Sequence, residues 1–403
     1  MAADDIHSQQ LDLELPLINM KMPNARSQRG FSLLEVTIAT ALGLIIILIM
    51  TSLFKMGITA TTTVTQRAET QQNLRAAIEM MTTDIGMAGA GLPSGGLQLA
   101  TNGGAIKVGC NQAGTCYVPG ATYPNSGTGT INYMYGILPG FGIGVQNGVA
   151  VPSAPGVVND SITSIYCDYN FPLTNFTFSF PSTTQANVVV VNGGVIPNNI
   201  LAPGGLNVGD LLLFVVSTPG NGTGNQGTSL VQTAAAVGEV TGIPNGTTIN
   251  FAASDALNFN QTGPNSIAAV AGAFVAGTTM SVCRLNAVTY FLQVPAAGGT
   301  VQTPRLMRQV NGLNAVPVAD NIINLQFTFD VVNSVAGTIS ANQPDPVGNG
   351  LSPALIQKVN MWVMGQSLLN SGRNAQSMYL ASSVSARNMS FCNSYSSSTT
   401  VCQ

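Results

Sequence analysis

From Leu33 to Phe54 the chain reads LLEVTIATALGLIIILIMTSLF, an apolar run that holds one carboxylate, Glu35, and no cation. As a helix rising about 1.5 Å per residue, this run spans roughly 33 Å, enough to cross the hydrocarbon core of a bilayer. Past Lys55 the pattern turns amphipathic. Val64, Ala68, Gln71, Leu74, Ile78, Met81 and Ile85 recur at spacings of three and four, while Arg67, Glu69, Gln72, Arg75 and Glu79 fall on other faces. Gly86, Gly89, Gly91 and Pro93 then supply stop signals. The pattern predicts one helix from about Phe31 to Ala88. The alternative is a break at the poor helix formers Thr61, Thr62, Thr63 and Thr65, separating an anchor from a second helix.

Beyond Gly91 the helical period disappears, and short apolar or alternating runs are separated by turn residues. Predicted strands are Ala186–Val191, Asp210–Val216, Ser229–Val240, Thr247–Phe251, Ala287–Val294, Ile322–Asp330, Leu355–Met364 and Met378–Ala386. Asn192-Gly193, Pro219 to Gly222, Pro244 to Gly246 and Asn349-Gly350 mark turns between them. Phe327, Phe329 and Trp362 alternate with polar residues and are expected in the core, as are Tyr133 and Tyr135.

Composition narrows the function classes. Charged residues make up 7% of the chain, and the formal net charge is −3, so no basic field exists to hold nucleic acid. No nucleic-acid partner is expected. The six cysteines, Cys110, Cys116, Cys167, Cys283, Cys392 and Cys402, all follow the apolar run. An even number beyond a membrane segment predicts disulfides in an oxidising compartment. Cys110–Cys116 and Cys392–Cys402 would each close a short Gly- or Ser-rich loop, leaving Cys167–Cys283 as the third pair. With no CxxC pair, metal ligation is disfavoured. Gly222 to Gly227 matches G-x-G-x-x-G, but a strand-like run follows it where a dinucleotide site needs a helix. The loop from Asn342 to Asn349 has oxygen ligands for Ca²⁺ but one carboxylate and no EF-hand spacing. No metal or cofactor is expected.

The residues before the apolar run carry the most specific signal. Lys21, Arg26 and Arg29 precede it, which by the positive-inside rule places the N-terminus in the cytoplasm and everything after Lys55 outside. A secretory signal would have a shorter apolar core with a small-residue cleavage site after it. Here the distinctive string, GFSLLEV from Gly30 to Val36, comes first, and it resembles the class III signal of type IV prepilins. That resemblance implies a prepilin peptidase that cuts between Gly30 and Phe31, with methylation of the new Phe31 amine. It also implies that Glu35 offsets the charged N-terminus of a neighbouring subunit during assembly. Two opposite charges in a low-dielectric site lessen each other's desolvation cost. A lone carboxylate there costs about 2–3 kcal/mol on insertion scales. Residues 1–30 then form the leader. Translation is expected to start at Met20 or Met22, because Asp4, Asp5, Asp12 and Glu14 do not suit a short basic leader. His7 is the only histidine and lies in that leader, so the mature chain has no Ser-His-Asp or Cys-His machinery. No catalytic residue is predicted.

A narrower resemblance rests on segments further along. MTTDIGMAGAGL (Met81 to Leu92) is similar to the helix-ending segment of PilW-type minor pilins, with Gly86 where that family usually has Arg and Ala90 where it usually has an aromatic residue. AVTYFLQ, PRLMRQVNG, PVADNIINLQFTFD, IQKVNMWVMGQS and SSVSARNMSF follow the order of the PilW/PulJ pattern. The expected fold is α+β: a long N-terminal helix (31–90), membrane-embedded in its first half, packed on a β-rich pilin-type body. Residues 91–281 are read as a β-rich insertion or subdomain, and 282–403 as the C-terminal pilin-like sheet. The resemblance implies a non-enzymatic minor pilin, anchored once in the inner membrane with a periplasmic body and then carried to the pilus and cell surface. It would initiate pilus assembly near the tip, with prepilin peptidase, other minor pilins and the major pilin as partners. A type II secretion minor pseudopilin, or a tip adhesin or DNA-uptake subunit, are the alternatives.

Overall fold

The computed structural model describes residues 30–93, 96–100, 106–107, 133–145, 159–168, 173, 176–190, 205–219, 230–245, 248–294, 303–333, 338–367 and 376–389. The chain divides into two units at Thr62/Thr63. Among the described residues of the first unit there is one element, the start of helix α1 (Leu33–Met87). Helix α1 also covers the Thr-rich stretch. Thr59 and Thr61 donate to the carbonyls of Lys55 and Gly57, four residues back, so their hydroxyls find partners within the helix itself. Along the apolar run the side chains are uncovered, and the most apolar window of α1 is not buried at all.

In the second unit α1 turns one narrow face inward. Thr70, Leu74, Ala77, Ile78, Met81, Asp84 and Ile85 are buried. The stripe therefore begins later than its sequence period implies, because Val64, Ala68 and Gln71 are exposed. The helix ends at Met87, and Gly89 and Gly91 adopt positive φ of 81° and 75°. Gly89 also lies so close to Gly136 that a Cβ on Gly136 would sit 2.5 Å from the Gly89 nitrogen. That approach lets the Gly89 N–H donate to the Ile165 carbonyl at 2.8 Å, which ties the helix end to the body.

Short strands β1 (Leu97–Gln98) and β2 (Tyr133–Met134) pair with each other, and β3 (Ile137–Gly140) and β4 (Ser161–Asp168) follow. Next come β5 (Phe176–Ser182), β6 (Gln185–Val190), β7 (Leu211–Pro219), β8 (Leu230–Glu239), β9 (Gly242–Asn245), β10 (Thr248–Asn250) and the short helix α2 (Ile267–Ala273). The last strands are β11 (Thr279–Gln293), β12 (Arg305–Val310), β13 (Val316–Asp320), β14 (Ile322–Asn333), β15 (Thr338–Gln343), β16 (Ile356–Gln366) and β17 (Ser377–Ser385). The fold is thus α+β, a long N-terminal helix followed by a β-rich body.

Strand β11 organises the largest sheet. Its first half pairs with β7 and its second half with β12, while β4 runs along the opposite edge. The sheet continues through β13, β3 and β8. A separate antiparallel sheet has the order β15-β14-β16-β17, and another the order β5-β6-β10-β9. One core contains Leu74, Met81 and Ile85 of α1, Tyr166, Val288 and Tyr290 of the large sheet, and Phe327, Phe329, Met361 and Val363 of the β14–β16 pair. The opposite face of β11 and β4 forms a second core with β7 and β8, and Phe214 of β7 centres a third with Phe178, Phe251 and α2.

Two aromatic expectations need correction. Phe327 and Phe329 are core residues, but Trp362 is half-exposed. It lies between buried Met361 and Val363 and opposite Gln326, on the other face of the sheet. Tyr133 is likewise exposed rather than buried, and stacks on Tyr135 with centroids 6.2 Å apart.

Candidate functional site: the N-terminal segment and its helix anchor

Ser32 and Glu35 form a capping box at the start of α1. The Leu34 N–H donates to Ser32 Oγ at 3.3 Å, and the Ser32 N–H donates to Glu35 Oε2 at 3.0 Å. Serine at the cap and glutamate three positions on can each satisfy a backbone N–H that the first helical turn leaves open. Glu35 also sits where the helix dipole favours negative charge. The fold therefore gives the carboxylate a partner in its own chain. Phe31 precedes the box with 85% of its surface exposed, and Leu33 is equally open. Gly30 has open space around it, with nothing within 4 Å of where a Cβ would stand. Gly30, Phe31 and Glu35 are thus grouped at one accessible helix start, followed by a run of exposed apolar side chains.

At the other end of α1 is a charged anchor that the sequence did not single out. Asp84 lies on the buried stripe, three positions after Met81, and its side chain is 7% exposed. It faces Arg308 of β12: Nε donates to Oδ2 at 2.8 Å and Nη2 to Oδ1 at 3.1 Å. The Tyr166 hydroxyl donates to Oδ1 at 2.8 Å, and the Tyr290 hydroxyl donates to Oδ2. Four donors from three strands therefore converge on one helix carboxylate. Burial, with the Asp84 charge adding to it, pushes both tyrosine hydroxyls well above their usual range, so they remain donors. The available signal was an acid placed in phase with an apolar helical stripe.

Cys167 of β4 and Cys283 of β11 are joined by a disulfide, with Cα atoms 5.7 Å apart. Cys110, Cys116, Cys392 and Cys402 lie outside the described residues, as do Gly222 and Gly227. In the loop after β15, Asp345 Oδ1 accepts the Gly348 N–H at 2.9 Å and serves as a turn acceptor. Among the described residues no cluster of three or more Cys, Asp or Glu is placed to hold a metal ion.

Two further acidic sites shape the body. Glu239 is 1% exposed, and its Oε2 accepts the Leu257 N–H at 2.8 Å. Burial raises its carboxyl pKa well above the carboxylate range, and the neighbouring Asp255 charge reinforces the shift. Asp160 bridges two elements, accepting from the Gly142 N–H at 2.9 Å and the Phe327 N–H at 3.1 Å. Burial raises it to about 6, against the lowering effect of those N–H bonds.

Residues 25–51 match the prokaryotic N-terminal methylation motif, a type IV prepilin-like signal. No curated protein and no solved structure matches the chain. The match contains Gly30, Phe31, Ser32 and Glu35 and ends within the apolar run. The motif implies a type IV pilin-like or pseudopilin-like protein, with prepilin peptidase processing and assembly with other pilins. The motif and the long apolar helix together indicate a single-pass membrane anchor.

Proposed function

We propose that this chain is a minor pilin of the PilW kind. Prepilin peptidase cleaves it between Gly30 and Phe31, and the Phe31 amine is methylated. Its N-terminus faces the cytoplasm and its body the periplasm until the subunit is drawn into a pilus, where it helps initiate assembly and stays near the tip. The observation that carries this reading is the accessible start of α1. Glu35 stands one turn from Phe31, at the head of an apolar surface that needs lipid or neighbouring helices to cover it.

The PilW assignment is supported by the C-terminal segments quoted above. They coincide with β11, β12, β13–β14, β16 and β17, and the buried face of α1 packs on the first four of these. Residues 91–281 are then an elaboration of that plan, since β4 and β7 pair with the two edges of β11.

The test is a deletion strain and a Glu35→Ala strain scored for surface pili, twitching and type II secretion. Loss of pili with secretion intact is expected. Loss of secretion with pili intact would replace the reading with a secretion pseudopilin, and no effect on either would remove the assembly role.

A further inference from the structure

We propose that the outer face of the β15-β14-β16-β17 sheet is a binding site for a neutral oligosaccharide. Strand alternation puts the core residues Phe327, Met361 and Val363 on one face and a polar set on the other. Across the register, Gln326 is opposite Trp362, which is opposite Ala381, and Thr328 is opposite Asn360, which is opposite Ser383. With Asn342 from β15 these residues line an open groove of about 490 Å³, within the usual range for small-ligand sites.

Each part matches sugar chemistry. Trp362 offers an apolar ring face for the C–H face of a pyranose. Ala381, beside it in register, is too small to cover that ring. Tyr379, 67% exposed, continues the aromatic ledge with its ring centroid 5.9 Å from that of Trp362 at a 31° tilt. The amides supply both donors and acceptors, as vicinal hydroxyls require. They are also held in place. The Asn360 Nδ2 donates to Asp330 Oδ1 and to Asn342 Oδ1, both at 3.2 Å, and the Asn342 backbone N–H donates to Asp330 Oδ1 at 2.9 Å. Among the described residues Asn360 Oδ1 and Asn342 Nδ2 take no part in these bonds and keep hydrogen-bonding capacity for a ligand.

Charge decides among ligand classes. Among the described residues no cation lines the groove, and the adjoining Lys358 sits 3.5 Å from Asp330, so the lining offers a polyanion no positive partner. An amide-lined groove also lacks the broad apolar core of a stable protein–protein interface. A neutral glycan is the occupant that this lining fits. The site does not depend on whether the subunit serves a pilus or a pseudopilus, and a failed sugar assay leaves the assembly reading untouched.

The chain contains one tryptophan, Trp362, so its fluorescence reports this groove directly. The full mature chain, held in a zwitterionic detergent free of sugar headgroups, is titrated with maltohexaose, cellohexaose and chitohexaose. At least one is expected to give a saturable change in emission. Gln326→Ala should weaken that binding about tenfold or more. Trp362→Phe, followed by calorimetry, should weaken it while leaving the thermal midpoint unchanged. Among the described residues the Gln326 side chain makes no hydrogen bond, so Gln326→Ala separates ligand contact from folding. The proposal is overturned if no neutral sugar saturates the signal, or if both variants bind as well as the parent. It is equally overturned if a heparin hexasaccharide or single-stranded DNA binds in preference, or if emission responds to protein concentration and not to sugar.

Discussion

Asp84 and Arg308 are 224 residues apart in the chain, and in the fold the guanidinium grips the carboxylate with two bonds, at 2.8 and 3.1 Å. This pair, with Tyr166 and Tyr290, fixes the rotation of α1 on the large sheet, because only one helical face can present Asp84 to all four donors. Apolar residues such as Met81 and Ile85 supply burial but tolerate small rotations. The polar cluster does not.

Asp84→Ala is expected to destabilise the body by about 2–4 kcal/mol, somewhat below the cost of breaking a fully buried pair because the Arg308 side chain is 24% exposed. It strands a guanidinium and two tyrosine hydroxyls at once. An Asp84→Leu/Arg308→Met double variant should recover part of the loss. Denaturant unfolding of the detergent-solubilised chain checks both, and additive losses in the double variant would show that the pair is not coupled.

How much was legible beforehand follows from which contacts are local. The apolar run, the stripe at Leu74, Ile78, Met81 and Ile85, and strands such as β14 and β16 announce themselves by period, and each appears at the expected place. Strand β4 escaped because Ser161, Thr163 and Ser164 read as polar. All three are nevertheless buried, and the Thr163 hydroxyl is paired with Thr289 at 2.8 Å across the sheet. Trp362 was misplaced because alternation gives a phase without saying which phase faces the core; its pairing with Gln326 settles that. The Asp84–Arg308 contact depends on three strands meeting one helix, which no local pattern encodes.

Glu239 should make the fold more stable in acid. Its folded pKa is raised, so between its unfolded value and that raised value the folded state holds a proton the unfolded state lacks. Stability is full below the unfolded pKa and is lost as pH rises through the folded one. A glutamine can accept from the Leu257 N–H and donate to Asp255, as the protonated acid does. Glu239→Gln is therefore expected to match the parent near pH 4 and to exceed its thermal midpoint at about pH 9. A variant less stable than the parent at both pH values would show that the carboxyl is charged in the fold.

Asp160 acts in a lower window. With its folded pKa at about 6 and an ordinary value of 3.8, its contribution fades as pH rises from about 4 to about 6. The shift corresponds to on the order of 2–3 kcal/mol for this 5%-exposed group. The stability difference between parent and Asp160→Asn is expected to change by that order across this window and to be flat above about pH 7. A difference that is constant from pH 4 to 7 would refute the assignment.

The Cys167–Cys283 bond closes a loop with a sequence separation of 116 between strands that already lie side by side. Cys283→Ser, or reduction, is expected to lower stability by about 2–4 kcal/mol, with strand β7 loosening first because its pairing with β11 passes through Cys283. Hydrogen exchange resolved to segments would show faster exchange in Leu211–Val216 than in β12. Uniform protection after reduction would contradict this.

Glu35 caps its own helix, and the proposed function gives it a second role as a charge for a neighbour; the capping box shows how to part the two. Glu35→Gln keeps an acceptor for the Ser32 N–H at the same position and removes only the charge. Ser32→Ala removes the Leu34 contact and keeps the charge, at about 1 kcal/mol of helix-start stability. If charge complementarity with a neighbouring Phe31 amine drives assembly, Glu35→Gln abolishes incorporation while Ser32→Ala is nearly silent. If the cap is what matters, the order reverses. Cleavage between Gly30 and Phe31 should survive in both, measured by the mass of the mature chain, so that an assembly defect is not mistaken for a processing defect. Incorporation is read from sheared filaments probed for the subunit.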